Sequence, residues 1–287
     1  VSQGYIFFGI DQYRETKNLE CAYALSVSLK MSDPDRETCV VVHKFADVPK
    51  KYEGMFDYII ELPYGRTEPN HHDFRIDWWQ IYYASPFDES IYLDTYSLAL
   101  DNVSSLWDAI SSEEILFGCA RDYRGDIARN NWLFQTQDNN KILGFDTRMV
   151  YFRKSKTASE FFKIADPIFK NWREVYTDLL TKVRVSDFDM TLLVNMTAKQ
   201  TSDDIITNEL FDFTDASLDI FWDSEENEQP DSWRKIFNIW FADDGTLKIN
   251  NHRQSGIFYY DEPEFVNKTM ITRLNDNYRK KKNPAKI

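Results

Sequence analysis

Short apolar runs alternate with segments of helical spacing along much of the chain. Tyr5-Ile6-Phe7-Phe8-Gly9-Ile10 is an apolar β run closed by Asp11-Gln12-Tyr13, and residues 18–31 follow as a helix with Ala22, Leu25 and Leu29 on its apolar face. Residues 38–43, with Cys39-Val40-Val41-Val42, are β-branched enough for a central strand, and residues 56–62 form another. The spacing predicts a helix over 75–84 with a thick aromatic face of Trp78, Trp79, Tyr82 and Tyr83, then strands at 91–93 and 98–100. A helix over 103–110, strands at 114–119 and 149–152, and a long helical segment over 159–180 interrupted at Asp166-Pro167 complete this part. Strand and helix in alternation predict an α/β, Rossmann-like fold: a mixed central sheet flanked by helices.

Beyond about residue 198 the pattern changes. Residues 201–230 are acidic and aromatic, with Glu225 to Pro230 read as a solvated loop. Residues 237–242 and 246–249, around the Asp243-Asp244-Gly245 turn, predict a hairpin. The chain ends on a basic stretch, Tyr278 to Pro284, whose default reading is a solvated tail. The expected organisation is a main domain over 1–200 and a C-terminal extension over 201–287 that completes its site.

Charge and composition narrow the functions. The chain of 287 residues carries 34 basic and 47 acidic side chains, a net charge of −13, which disfavours a nucleic acid over most of the surface. Aromatic content is high, with 21 Phe, 16 Tyr and 8 Trp, and because buried Tyr and Trp need partners for their O–H and N–H, many are expected at half-wet positions such as cleft walls. Cys21, Cys39 and Cys119 have neither disulfide nor zinc spacing. His71-His72 invites a metal reading, but neighbours on a loop diverge and no third ligand is near. The sequence has no transmembrane span and opens without a charged leader, so a cytoplasmic protein is expected and the sequons at Asn102, Asn195 and Asn267 are coincidence.

The chemistry concentrates at Ser90 to Asn102. Ile91, Tyr92 and Leu93 read as a buried strand, and Asp94 is the first group on it that cannot be buried without a partner. Carboxyl ends of such strands open onto a ligand crevice, although a strand-end aspartate also begins turns. Tyr92-Leu93-Asp94-Thr95, with Leu98, Leu100, Asn102, Leu106 and Trp107, resembles the Asp-x-Asp region of nucleotide-sugar glycosyltransferases of the glycogenin and bacterial lipopolysaccharide-galactosyltransferase type. Tyr96 stands where that family has its second aspartate. The resemblance covers about residues 5–194.

The resemblance implies a GT-A fold, a hexosyltransferase-like activity with retention, and a nucleotide-diphosphate donor, above all a UDP sugar. It also implies a divalent cation, manganese or magnesium, on the donor's diphosphate. Asp94 and His252 would hold that cation; Asp11, Gln12 and Tyr13 would meet base and ribose; and Arg75, Asp146 and Arg253 would bind the donor. Asp187 and Asp189 would serve as the catalytic pair that orients the transferred sugar. Besides the second aspartate, three of the family's residues are replaced, an Asn by Asp146, a Gly by Arg148 and a Gln by Phe188. Each position also has a plain reading: an Asx-turn at Asp11, a salt bridge at Arg75, a helix cap at Ser186 or Asp187, a surface histidine at His252. The competing functions are a catalytically degenerate binder of nucleotide sugar or glycan on the same fold, and a nucleotidyltransferase. The latter should have a Gly-rich, basic first loop, which Gly9-Ile10-Asp11-Gln12 is not. The acceptor is left open as glycan, protein or modified nucleic acid.

Overall fold

A computed structural model describes residues 1–11, 17–68, 73–110, 113–127, 144–179, 187–201, 205–217 and 232–282. Its centre is a nine-stranded sheet. The strands, in chain order, are β1 (Gln3–Phe8), β2 (Glu37–Val42), β3 (Tyr58–Glu61), β4 (Glu89–Leu93), β5 (Ser97–Leu100), β6 (Ile115–Arg121), β7 (Asp146–Arg153), β8 (Ile206–Asp215), and, after a small separate sheet, β12 (Gly256–Tyr259). In space the order is β3-β2-β1-β4-β7-β6-β8-β12-β5. β3, β2, β1 and β4 are parallel, and so are β6, β8 and β12, while β7 and the edge strand β5 run against their neighbours. The carboxyl ends of β1 to β4, β6, β8 and β12 therefore share one edge with the starts of β5 and β7.

Alternation sorts side chains to two cores. Tyr5 and Phe7 of β1 face one side with Val40 and Val42, and Ile6 and Phe8 face the other with Cys39 and Val41. Burial on both faces is why these strands read as continuous apolar runs. The first face is covered by α1 (Asn18–Ser32) and by a helix near the end of the chain, the second by helices from the middle of the chain. At Gly9 a Cβ would lie 2.7 Å from Val40 Cγ2 and 2.8 Å from Leu19 Cδ1, so only glycine lets the start of α1 settle this close to the sheet.

α1 is buried almost all round, because its serines are used. Ser28 Oγ accepts the Ala99 N–H at 2.9 Å and Ser32 Oγ donates to the Ala99 carbonyl at 3.1 Å, which covers the open edge of β5. One-turn helices α2 (Lys50–Glu53) and α3 (Ile81–Ala84) precede α4 (Lys156–Lys170), α5 (Trp172–Leu179) and α6 (Met190–Thr201). The expected helix over 75–84 is mostly a 3-10 helix, Phe74–Gln80, pinned to the preceding loop by Asp77 and Gln80: the Thr67 N–H meets Asp77 Oδ1 at 2.7 Å and Gln80 Nε2 meets the Gly65 carbonyl at 2.7 Å. The helix expected over 103–110 is two 3-10 turns, and the expected break at Pro167 falls instead at Asn171, which donates to the Pro167 carbonyl.

The predicted hairpin is β9 (Ile239–Phe241) and β10 (Leu247–Ile249), extended by β11 (His252–Arg253) into a small antiparallel sheet. Two features of the C-terminal region differ from the reading of the sequence. Within the acidic and aromatic stretch 201–230, where the sequence pattern predicts no strand, β8 runs through the middle of the main sheet. The basic stretch 278–282 is the last turn of α7 (Lys268–Lys282), which packs on α1 through the Tyr23–Asn275 hydrogen bond of 2.7 Å. Its lysines there complement the negative end of the helix dipole. Among the described residues no helix is long and apolar enough to cross a membrane.

Candidate functional site

Asp94 follows β4 directly, at the shared edge. Its N–H extends the β4–β7 pairing to the Arg148 carbonyl at 2.7 Å, and its Oδ1 accepts the Tyr96 N–H at 3.0 Å, an Asx-turn that fixes the carboxylate. Asp94 is 1% exposed. Burial pushes its carboxyl above the ordinary range, the neighbouring Asp261 adds to this, and Arg75 and Arg148 oppose it. The Tyr96 phenol donates to Asn18 Oδ1 at 2.6 Å, and burial followed by the Asp94 charge raises it well above its usual value. Asn18 in turn donates to the Ile10 carbonyl at 2.7 Å, so Tyr96 is tied to the junction of β1 and α1.

Arg75 stands beside Asp94. Its Nε and Nη2 hold Asp73 at 2.8–3.1 Å, and its charge acts on both Asp94 and Asp189. Asp189 is the cap of α6: its Oδ1 accepts the Leu192 N–H at 3.1 Å. The cap is thus two residues after Asp187 and three after Ser186. Tyr176 Oη clamps the Asp189 backbone, donating to the carbonyl at 3.0 Å and accepting the N–H at 2.9 Å. Burial raises the Asp189 carboxyl, against the helix N–H of Leu192 and the Arg75 charge. Phe188, in the place of the family's Gln, packs on Phe169 and Trp172 and anchors this turn to α4 and α5. Asp187 is exposed at its tip.

On the other side of Asp94, Arg148 fills the space a glycine would leave. It bonds Asp146 through Nε at 3.0 Å, forms an ion pair with Asp215, and lies between the rings of Phe213 and Tyr259 at 4.9 and 4.6 Å. Asp215 is buried at the end of β8, and burial raises its carboxyl against the pull of Arg148 and Ser217.

The structure therefore brings Asp94, Arg75, Asp189 and Asp146 to one edge, with Asp187 beside them. Asp11 is at the same edge and caps α1, accepting the Leu19 N–H at 3.2 Å; Gln12 and Tyr13 lie outside the described residues, as do His71 and His72. His252 and Arg253 are at the opposite edge. β12 pairs Gly256 with Leu100 and Tyr259 with Ser97, so about 10 Å of strand separates them from the Asp94 end. Arg253 binds Asp101 at 2.8 Å there, and His252 packs edge-on to Tyr123. What faces Asp94 from β12 is Tyr259, whose Oη donates to Asp261 Oδ1 at 2.8 Å. The signal for these two is the one that marks Asp94, an apolar run, Ile257-Phe258, ending in polar residues at a strand's carboxyl end.

No family model and no curated protein matches the chain. Solved structures do. The galactosyltransferase LgtC, in complex with donor and acceptor sugar analogues, aligns with a TM-score of 0.53 at 14% identity, over 96% of this chain and 95% of that one. An active-site mutant of LgtC aligns at 0.52 and 13%, over 96% and 94%. The likeness is one of fold: a Rossmann-like GT-A sheet with flanking helices, resembling LgtC over nearly the whole of both chains.

Proposed function

We propose that this chain is a glycosyltransferase that moves a sugar from a nucleotide-diphosphate sugar, a UDP sugar, to an acceptor bound at the Asp94 edge. The observation that carries this is the convergence of Asp94, Arg75 and Asp189, from three separate elements, at the carboxyl edge of a GT-A sheet. Open α/β sheets bind ligands at that edge.

The reaction asks mainly for positioning and for positive charge where the departing diphosphate gains negative charge. Asp189, held on the N-terminus of α6, and Asp187 beside it accept hydroxyls of the transferred sugar. Asp94, fixed by its turn, accepts a hydroxyl of the donor, and the Arg75 guanidinium faces the phosphates. Residues suited to a resident divalent cation are not assembled: among the described residues no group of three His, Cys, Asp or Glu is placed to hold one. No step is therefore routed through a metal. A donor-binding protein without turnover is the second reading, favoured by the commitment of Tyr96 to Asn18 and by Phe188 in the Gln place.

Thermal-shift screening of nucleotide sugars, followed by donor hydrolysis, tests the reading. A UDP sugar is expected to raise the melting temperature by mass action. Asp187→Asn should remain folded while hydrolysis or transfer falls by about a hundredfold, as for a lost positioning group. No shift with any nucleotide sugar removes the proposal, binding without hydrolysis leaves the second reading, and full activity in Asp187→Asn frees that residue from the site.

A further inference from the structure

We infer that the positive charge opposing the donor's diphosphate is the Arg75 guanidinium and that the site works without a divalent cation; this rests on the donor reading above. Manganese and magnesium need several hard oxygen ligands, carboxylates above all. Asp94 offers one carboxylate, with Oδ1 already accepting the Tyr96 N–H. At the position of the second aspartate, the Tyr96 phenol is neutral and donates to Asn18. The group facing Asp94 from β12 is another neutral phenol, Tyr259, bonded to Asp261. His252 is at the far edge, beyond the length of β5.

Two guanidinium groups act on Asp94 in place of such ligands, and they differ in availability. Arg148 is consumed by Asp146 and Asp215 and covered by the rings of Phe213 and Tyr259. Arg75 uses Nε and Nη2 on Asp73, while its Nη1 makes no hydrogen bond among the described residues, and 40% of its side chain is exposed. A guanidinium with one edge open presents parallel N–H donors of the spacing that phosphate oxygens accept. Asp94 and Asp189 flank it and oppose a polyanion, so the expected affinity for a bare nucleoside diphosphate is modest, about millimolar.

The test is calorimetric titration of UDP into the full chain, once with EDTA and once with millimolar manganese, and of manganese alone. The expected result is the same UDP affinity in both buffers and no heat from manganese alone. Arg75→Gln and Arg75→Lys should each weaken UDP by about tenfold or more, Lys because a point charge does not replace the fork. UDP binding that strengthens by about tenfold or more with manganese, or a manganese site in the protein alone, overturns the inference and leaves the donor reading standing. Absence of UDP binding in both buffers overturns the donor reading and this inference with it. The comparison of buffers uses the unmodified chain and decides the matter even where an Arg75 variant misfolds.

Discussion

Replacing Arg148 by Met tests how the site edge is held together. The side chain keeps its length and apolar stem, but Asp146 and Asp215 lose their shared cation. Asp215, whose side chain is 1% exposed, is left with the Ser217 N–H at 2.8 Å and hydroxyl at 2.7 Å. Removing one partner of a buried ion pair costs about 3–5 kcal/mol, because the other charge stays desolvated. Loss of the guanidinium from between Phe213 and Tyr259 adds about 0.5–2 kcal/mol, part of which the methionine recovers. A total near 4 kcal/mol is a large share of the 5–15 kcal/mol that is typical of folded proteins. The sign of the pH dependence follows from Asp215. Burial already holds its folded carboxyl above the unfolded value, and without Arg148 that gap widens. The folded variant then binds protons more readily than the unfolded chain, so its stability deficit shrinks as pH falls toward the carboxylate range. Urea denaturation followed by tryptophan fluorescence, at about pH 8 and about pH 5.5, reads both effects. The double variant Arg148→Met/Asp215→Asn should recover much of the loss. A cost below about 1 kcal/mol, equal deficits at the two pH values, or a double variant no better than the single would refute the reasoning.

Two further outcomes follow from hydrogen bonds elsewhere. Ser28→Ala strips the Ala99 N–H of its acceptor on the covered edge of β5 and should cost about 1–3 kcal/mol in urea, with faster amide exchange at Ala99; exchange as slow as in the unmodified chain would show that another group covers that edge. At Asp57, burial opposes ionisation, but Lys30 at 2.7 Å and the Thr38 N–H at 2.8 Å outweigh it and hold the carboxyl below its ordinary value. Its stabilisation is present above the unfolded carboxylate pKa and is lost as pH falls through the folded one, so Asp57→Asn should cost about 1 kcal/mol near neutrality, discounted for partial exposure, and progressively less as pH falls below the ordinary carboxylate range. A gap that persists in acid would contradict this.

Most of the scaffold was legible because burial on both faces writes apolar runs, as at Tyr5 to Ile10 and Cys39 to Val42. β8 was not, because Asn208, Glu209 and Asp212 interrupt it; its signal was the alternation of Phe211, Phe213 and Asp215, with the two phenylalanines in the core and the aspartate under Arg148. α7 was hidden by its lysines, although Met270, Leu274 and Tyr278 recur at four-residue spacing, and the first two are buried. At the site, Asp94 was legible from strand-end logic. His252 was not placed by it, since motif order along a chain does not say at which end of a strand a residue will fall, and that depended on how β12 pairs with β5.

That pairing also bears on how the protein is made. β5 leaves the ribosome long before its partner: among the described residues of the main sheet it pairs only with β12, which begins at Gly256, and β6 waits for β8 on one side. Until residues 206–259 arrive, the nascent chain carries unsatisfied strand backbone at two places, and closing them requires contacts of high sequence separation, which form slowly. A chain stopped near residue 200 would keep those edges open for good, a template for pairing with other chains. The Asp94 turn is the lead-in to β5, so a strand translated long after that turn is the one that locks it in place.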